Sequence, residues 1–357
     1  MKAAFWYNKK DMRIEEIDEP SVPNDSVKIK VKWCGICGSD LHEYVAGPIL
    51  IPTEHPHPLS GKTAPVVLGH EFSGEIVEVG SNVSKLKIGD RVVAEPMIVC
   101  GKCPSCLEGK YNLCTSLGCH GQCGTIGGFS EYSVLPERFV HKIPDELSYE
   151  RAALAEPVTV GMHSIDRANF KIGQTALVLG AGPIGLGTIE CLKAAGASLV
   201  ICFQRKSVRQ EYAKRAGADI ILDPNEVDVV SKIMEITGGV GVDAAFETTG
   251  SEIGFTTAFN SIKSDGTLVI TSLWESEIKF NPNFLVFFEK KIVGTMGYRN
   301  NYPTTITHMN NGNIKTEGWI TKKIHLDDIV EEGFETLCGP DKKNHVKILV
   351  TPDKSLL

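Results

Sequence analysis

Four cysteines, Cys100, Cys103, Cys106 and Cys114, fall in one short stretch with the spacing C-x2-C-x2-C-x7-C. Closely spaced thiolates of this kind wrap a tetrahedral zinc ion, and four of them leave no open position for a water or a substrate. The residues between them are mostly Gly, Lys, Pro, Ser and Glu, with Leu107, Tyr111, Asn112 and Leu113 in the longer gap, a largely polar loop. Buried reduced cysteines normally sit among hydrophobes instead. The stretch therefore reads as a structural metal site. Cys119 and Cys123 follow closely but break the register, and Cys34, Cys191, Cys202 and Cys338 read as core residues.

A second, dispersed set of residues reads as a catalytic metal site. The segment CGICGSDLH carries Cys37, Ser39, Asp40 and His42, the segment GHE carries His70 and Glu71, and AALAEPVTVG carries Glu156. Thiolate, imidazole and carboxylate from separate segments, with one position left vacant, are the donor set of a catalytic zinc. Each motif is weak alone, and a cysteine or Gly-His-Glu in a turn is usually structural. Their occurrence together, beside the four-cysteine loop, carries the reading.

A third motif points to a dinucleotide. The apolar run Ala176–Leu179 leads into Gly180-Ala181-Gly182-Pro183-Ile184-Gly185 and then a helix-like stretch. In such a turn Gly180 permits the tight bend, Gly182 lets a pyrophosphate approach backbone N–H groups, and Gly185 lets helix and strand pack closely. The next strand, Leu199–Phe203, should end in an acid if the ligand is NAD, because a carboxylate there accepts from the ribose 2′-OH. It runs instead into Gln204, Arg205, Lys206 and Arg209. Three cations suit a 2′-phosphate, with Arg205 as its clamp, and favour NADP(H) over NAD(H). Against this, Gln204 has the chemistry to bond a ribose, and charges at a helix start are often merely solvated.

The elements that must position these groups change character along the chain. Residues 1–155 hold short β-branched or alternating runs (Val27–Trp33, Phe72–Val79, Arg91–Ala94) between turn signals, the pattern of an antiparallel β domain. Beyond residue 157, helical stretches alternate with strand candidates at Ala176–Leu179, Leu199–Phe203, Asp219–Leu222, Asp243–Phe246, Thr267–Thr271 and Ile292–Thr295, the rhythm of a parallel doubly wound sheet. The tail predicts a helix at Thr304–Asn310 and a closing apolar strand at Val346–Val350, and the proline-rich segment Pro48–Pro65 predicts a surface loop. The fold class expected is α/β with a second, β-rich domain.

Composition removes other classes. The chain has 357 residues, 42% hydrophobic and 23% charged, which at roughly 150 residues per domain makes two domains. A net charge of −7 with no basic run argues against nucleic acid as a partner. No apolar run approaches the ~20 residues of a membrane-spanning helix. The opening MKAAFWYNKKDMRIEE reads as alternating strand rather than as a leader, so a cytoplasmic location is expected.

In motif order, CGICGSDLH, GHEFSGEIVEVG, GKCPSCLEGKYNLC, AALAEPVTVG, GAGPIG and HVKILVTP resemble the zinc-containing medium-chain alcohol dehydrogenases, most closely their 2,3-butanediol (acetoin) and polyol branch. The resemblance covers essentially the whole chain. It implies a GroES-like catalytic domain (1–157, completed by 299–357) around a Rossmann cofactor-binding domain (158–298), two zinc ions per chain, NAD(P), and a homodimer or homotetramer. It implies catalytic-zinc positions at Cys37, His70 and Glu71, with Glu156 where polyol-type members have glutamate. The family's zinc alternates between neighbouring ligands and water, so Glu71 and Glu156 need not ligate at once. Asp40 matches the carboxylate that orients the His70 ring. A proton path from Ser39 through the cofactor ribose to His42 is also implied.

Two departures bear on substrate. Sorbitol-type members carry Tyr and Arg where this chain has Glu43 and Gly297, which argues against a long polyol. The His/Pro loop after Gly47 resembles bacterial butanediol dehydrogenases, and the expected reaction is interconversion of 2,3-butanediol and acetoin. Sorbitol (or another polyol) and threonine are the alternative substrates for the same chemistry.

Overall fold

The computed structural model describes all 357 residues, which divide into two compact units. The first comprises residues 1–156, 302–310 and 320–357; the second comprises 157–301 and 311–319.

In the first unit the long strand Ser26–Gly35 lies at the middle of a mostly antiparallel sheet. On one edge Glu71–Val79 pairs with it and leads out through Arg91–Ala94 to Val140–Lys142; Tyr132–Pro136 pairs with its first half, and Lys347–Thr351, followed by Ile320–His325, with its end. Its core holds Trp6, Ile29, Val31, Phe72, Ile76, Phe129 and Ile348, all fully buried. The register places Gly35 opposite both Glu71 and Leu349. A small ribbon, Met97–Ile98 with Gly118–Cys119, frames the cysteine-rich segment.

The second unit is a six-stranded, wholly parallel sheet. Its spatial order is Ile220–Leu222, Leu199–Phe203, Thr175–Leu179, Val242–Glu247, Ile262–Ile270 and Lys291–Gly294. Numbered along the chain this is 3-2-1-4-5-6, which places a topological switch between the first and fourth strands. Residues 311–319 belong to this unit, although the resemblance assigns everything after 299 to the first domain. The buried Glu190 carboxylate accepts from the N–H groups of Lys315 and Thr316, and the Trp319 ring packs over Gly187.

Candidate active site

The four cysteines form one cluster, with all four sulfurs within 4.8 Å of one another. Backbone geometry arranges them. The N–H groups of Cys100, Cys103 and Ser116 point at Cys114 Sγ, Cys100 Sγ and Cys114 Sγ at 3.3–3.4 Å. The backbone donors Thr115 and Cys106 hold the Cys103 thiol down at about 6, whereas burial and its neighbour Cys103 push Cys106 up to about 12. Four sulfurs this close cannot all ionise without a cation between them. The lobe has little apolar interior of its own, with Leu107 and Leu113 exposed. The donor set and the electrostatics both fit zinc.

The second cluster joins Cys37, His70 and Glu71, whose donor atoms also lie within 4.8 Å of each other. Cys37 sits at the N-terminus of the helix Gly38–Ala46, where Asp40 Oδ2 accepts its N–H at 3.0 Å. The other carboxylate oxygen, Asp40 Oδ1, faces His70 Nδ1 at 3.3 Å. That contact turns the opposite ring nitrogen, Nε2, towards Ser39 Oγ at 3.4 Å. Burial alone would lower the pKa of His70, but Asp40 together with the thiols of Cys119 and Cys37 carries it well above the ordinary value. The pocket demands a positive charge, and a metal cation would satisfy it.

Glu71 is held by a residue the motifs do not single out. Both of its oxygens accept from Lys347 Nζ, at 2.8 and 2.6 Å, in a pair that is at most 1% exposed at either end. Lys347 Nζ also donates to Ile36 O. The pair closes over Gly35, where any Cβ would collide with the Glu71 carboxylate and crowd the Lys347 stem. The only sequence signal is a lone lysine inside an otherwise apolar strand.

Glu156, in the first turn of the helix Ala155–Arg167, is 7% exposed and lies outside the three-residue cluster. It is near enough to act electrostatically on Lys347 and Cys119. Cys119, assigned no chemistry by its spacing, lies beside His70, and burial lifts its thiol to about 12. His42 is exposed one helical turn beyond Ser39.

Glu43 does something that its place in the motif does not indicate. It is 1% exposed and its carboxylate accepts from the N–H groups of Ile49, Leu50 and Ile51, pinning the start of the proline-rich loop.

The glycine turn lies at the switch point of the second unit. Gly180 has φ +95°, and a Cβ on Gly185 would strike Gly180 O. Pro183 and Ile184 open the helix Pro183–Ala194. A Cβ on Gly182 would meet nothing nearer than Arg209 Nη1 at 3.9 Å, so the backbone there is open to a phosphate. Gln204 reaches back to this turn: its Oε1 accepts from Ala181 N–H at 2.8 Å and its Nε2 donates to Arg205 O. Arg205 is exposed, and Arg209 is half-buried.

Comparison with known proteins agrees with this arrangement. The alcohol dehydrogenase GroES-like domain matches residues 23–145, and the zinc-binding dehydrogenase domain matches residues 183–311. The chain is 49% identical to a Bacillus subtilis (R,R)-butanediol dehydrogenase over 354 residues, covering 99% of this chain and 100% of that protein. It is 37% identical to a sorbitol dehydrogenase from the same organism, covering 99% and 98%. The crystal structure of a Bacillus subtilis 2R,3R-butanediol dehydrogenase superposes with a TM-score of 0.92 at 48% identity, covering 99% of each chain. With a GroES-like unit carrying both metal-capable clusters and a Rossmann unit carrying the glycine turn, this chain belongs to the zinc-binding medium-chain alcohol dehydrogenases.

Proposed function

We propose that the protein interconverts 2,3-butanediol and acetoin by hydride transfer to and from a nicotinamide cofactor. The observation that carries this is the cluster of Cys37, His70 and Glu71 with the Ser39 hydroxyl 3.4 Å from His70 Nε2, in a chain similar end to end to butanediol dehydrogenases. Glu43 bears on the choice among secondary alcohols. Its carboxylate is spent on loop N–H groups and is unavailable to a further polyol hydroxyl. This supports a short diol over sorbitol.

Zinc at Cys37, His70 and a carboxylate (Glu71 or Glu156) would supply Lewis acidity, and zinc at Cys100, Cys103, Cys106 and Cys114 would brace the lobe. The nicotinamide cofactor would supply or accept the hydride. The residues of the chain do the rest. Asp40 fixes the His70 ring, and Lys347 balances the Glu71 charge. Ser39 receives the substrate hydroxyl proton, and His42, on the same helix face and exposed, is placed to release it to solvent. Gly180, Gly182 and Gly185 seat the pyrophosphate.

The finer reading of the cofactor is NADP(H). Arg205, Lys206 and Arg209 support it, and burial lowers the Arg209 pKa, a cost that a nearby phosphate would relieve. We further read the protein as a cytoplasmic homodimer or homotetramer. All eleven cysteines are free, as in a reducing compartment. The edge strand Lys291–Gly294 follows a helix, Asn283–Phe288, that exposes Val286 and Phe287, each 72% accessible.

Initial rates with acetoin, each butanediol stereoisomer, sorbitol and threonine, run with NAD(H) and NADP(H) in parallel, test the substrate and the cofactor. Acetoin and one butanediol isomer should give the highest kcat/KM. Preference for sorbitol or threonine would overturn the substrate, and a ten-fold advantage for NADH would overturn the cofactor.

A further inference from the structure

The loop after the strand Gly118–Cys119 brings a buried amide to the site without any motif to announce it. Gln122 is 1% exposed, and its Nε2 donates to Ser39 Oγ at 3.2 Å. The loop is held firmly. The N–H groups of Gln122 and Cys123 both donate to Cys119 O, Gly121 N–H donates to Thr125 Oγ1, and a Cβ on Gly121 would collide with Gly69 O, the residue before His70. The amide is thus fixed relative to both Ser39 and His70.

A primary amide carries two N–H donors and an oxygen acceptor. With Nε2 bound to Ser39, Oε1 remains without a hydrogen-bond partner. No side chain or backbone group of the protein claims this oxygen, so the amide, held in place through its nitrogen, has an acceptor to offer a ligand. The neighbouring polar side chains are engaged elsewhere. Glu43 is committed to the loop N–H groups, His57 to Leu59, Ser60 and Leu117, and His120 to Ser133.

We propose that Gln122 reads the second oxygen of the substrate: its Oε1 accepts from the hydroxyl on the carbon next to the reacting one. The enzyme then favours a vicinal diol or α-hydroxyketone over the corresponding mono-alcohol. The two oxygens of such a substrate sit on adjacent carbons. The Ser39 hydroxyl and the Gln122 amide are one hydrogen bond apart, so both can be met at once. This role rests on the reading of the site as that of a butanediol dehydrogenase.

The test compares kcat/KM for 2,3-butanediol and for 2-butanol in zinc-loaded wild type and Gln122→Met, with metal content and circular dichroism measured on the same preparations. The variant replaces the amide by an apolar chain of similar volume. The wild type should prefer the diol, and in Gln122→Met that preference should fall roughly ten-fold or more, because a site built to bond a hydroxyl loses discrimination when the bond is removed. A preference within two-fold of wild type overturns the proposal. So does a loss that strikes both substrates equally at full metal content, which would mean that Gln122 acts only through Ser39. Should Gln122→Met fail to fold, Gln122→Asn, one methylene shorter, is measured in its place: a ten-fold fall in the ratio supports the role, and an unchanged ratio overturns it. Wild-type protein inactive on both substrates would overturn the activity and this role together, whereas an active wild type with an unchanged variant ratio overturns the role alone.

Discussion

The two metal-capable clusters of the first unit are built in opposite ways. Cys100, Cys103, Cys106 and Cys114 come from one loop, and the loop's own N–H groups orient the sulfurs. Cys37, His70 and Glu71 come from a helix start and a strand, and each is set by another side chain or a register: Asp40 for the first two, Lys347 across Gly35 for the third. The first arrangement is self-contained and its four thiols leave no vacancy. The second depends on the surrounding sheet, and that dependence is what makes it adjustable. Removing a ligand from each should therefore break different things. Cys37→Ala should lower kcat/KM by roughly 10^3-fold or more, the scale of losing a Lewis acid worth several kcal/mol, while the thermal midpoint stays near that of wild type. Cys103→Ala should do the reverse, with loss of metal from the lobe and a clearly lower midpoint, because the lobe has little apolar core to replace the ion. Metal analysis, melting curves and rates on both variants check the contrast; similar profiles would remove it.

Lys347 tests the dependence on the sheet. Lys347→Met leaves the fully buried Glu71 charge without its partner, a change that costs about 3–5 kcal/mol of stability. Adding Glu71→Leu should recover most of that loss, since a buried pair replaced by apolar groups is often neutral. Urea unfolding of the two single variants and the double variant gives the coupling. If the single and double variants are equally destabilised, the pair is not what holds this corner.

Legibility in the sequence follows the same divide. The cysteine spacing and the glycine turn are readable because their geometry is local: each motif brings its own backbone. Five strands of the parallel sheet are readable because each is a short, mostly apolar run between helices, whereas Ile262–Ile270 is readable only in its apolar second half, Lys263, Ser264 and Asp265 interrupting the first. Lys347 is hidden because nothing near it in sequence explains a lysine in a buried strand; its reason lies across the sheet at Glu71. By sequence Glu43 is a substrate-facing departure from the sorbitol pattern, and only the fold reveals that three loop N–H groups claim it. Nothing in the sequence announces that the Gln204 amide oxygen accepts from a backbone N–H of the adjacent glycine turn. In each case the partner is another segment's backbone or charge.

Two buried histidines sharpen the contrast further. His120 is as buried as His70, but its Nε2 meets only the Ser133 hydroxyl, and burial pushes its pKa down to about 4. The folded state keeps this ring neutral, whereas the unfolded chain takes up a proton near pH 6.5. Its contribution to stability is therefore complete above pH 6.5 and is lost as the pH falls towards 4. The full loss amounts to about 3 kcal/mol. His120→Asn should flatten the fall in unfolding free energy between pH 7 and pH 4.5. An unchanged slope would assign the acid sensitivity to other groups.

Asp40 is where the second cluster can be loosened by a single atom. Its two oxygens have separate duties, Oδ2 accepting from Cys37 N–H and Oδ1 facing His70 Nδ1. Asparagine has the same shape but one acceptor, so Asp40→Asn must either turn an N–H towards the Cys37 N–H or leave the histidine ring unsupported. It also removes the negative charge that, against burial, keeps the His70 pKa raised. A change behind a metal-binding histidine typically costs 10- to 100-fold in metal affinity or activity, less than removing the ligand itself. The expected outcome is a loss of that size in kcat/KM, together with faster release of one metal equivalent to a weak chelator and no change at the four-cysteine lobe. Wild-type release kinetics in Asp40→Asn would mean that Cys37 and His70 hold their positions unaided, and the two clusters would then be alike in the respect that now separates them.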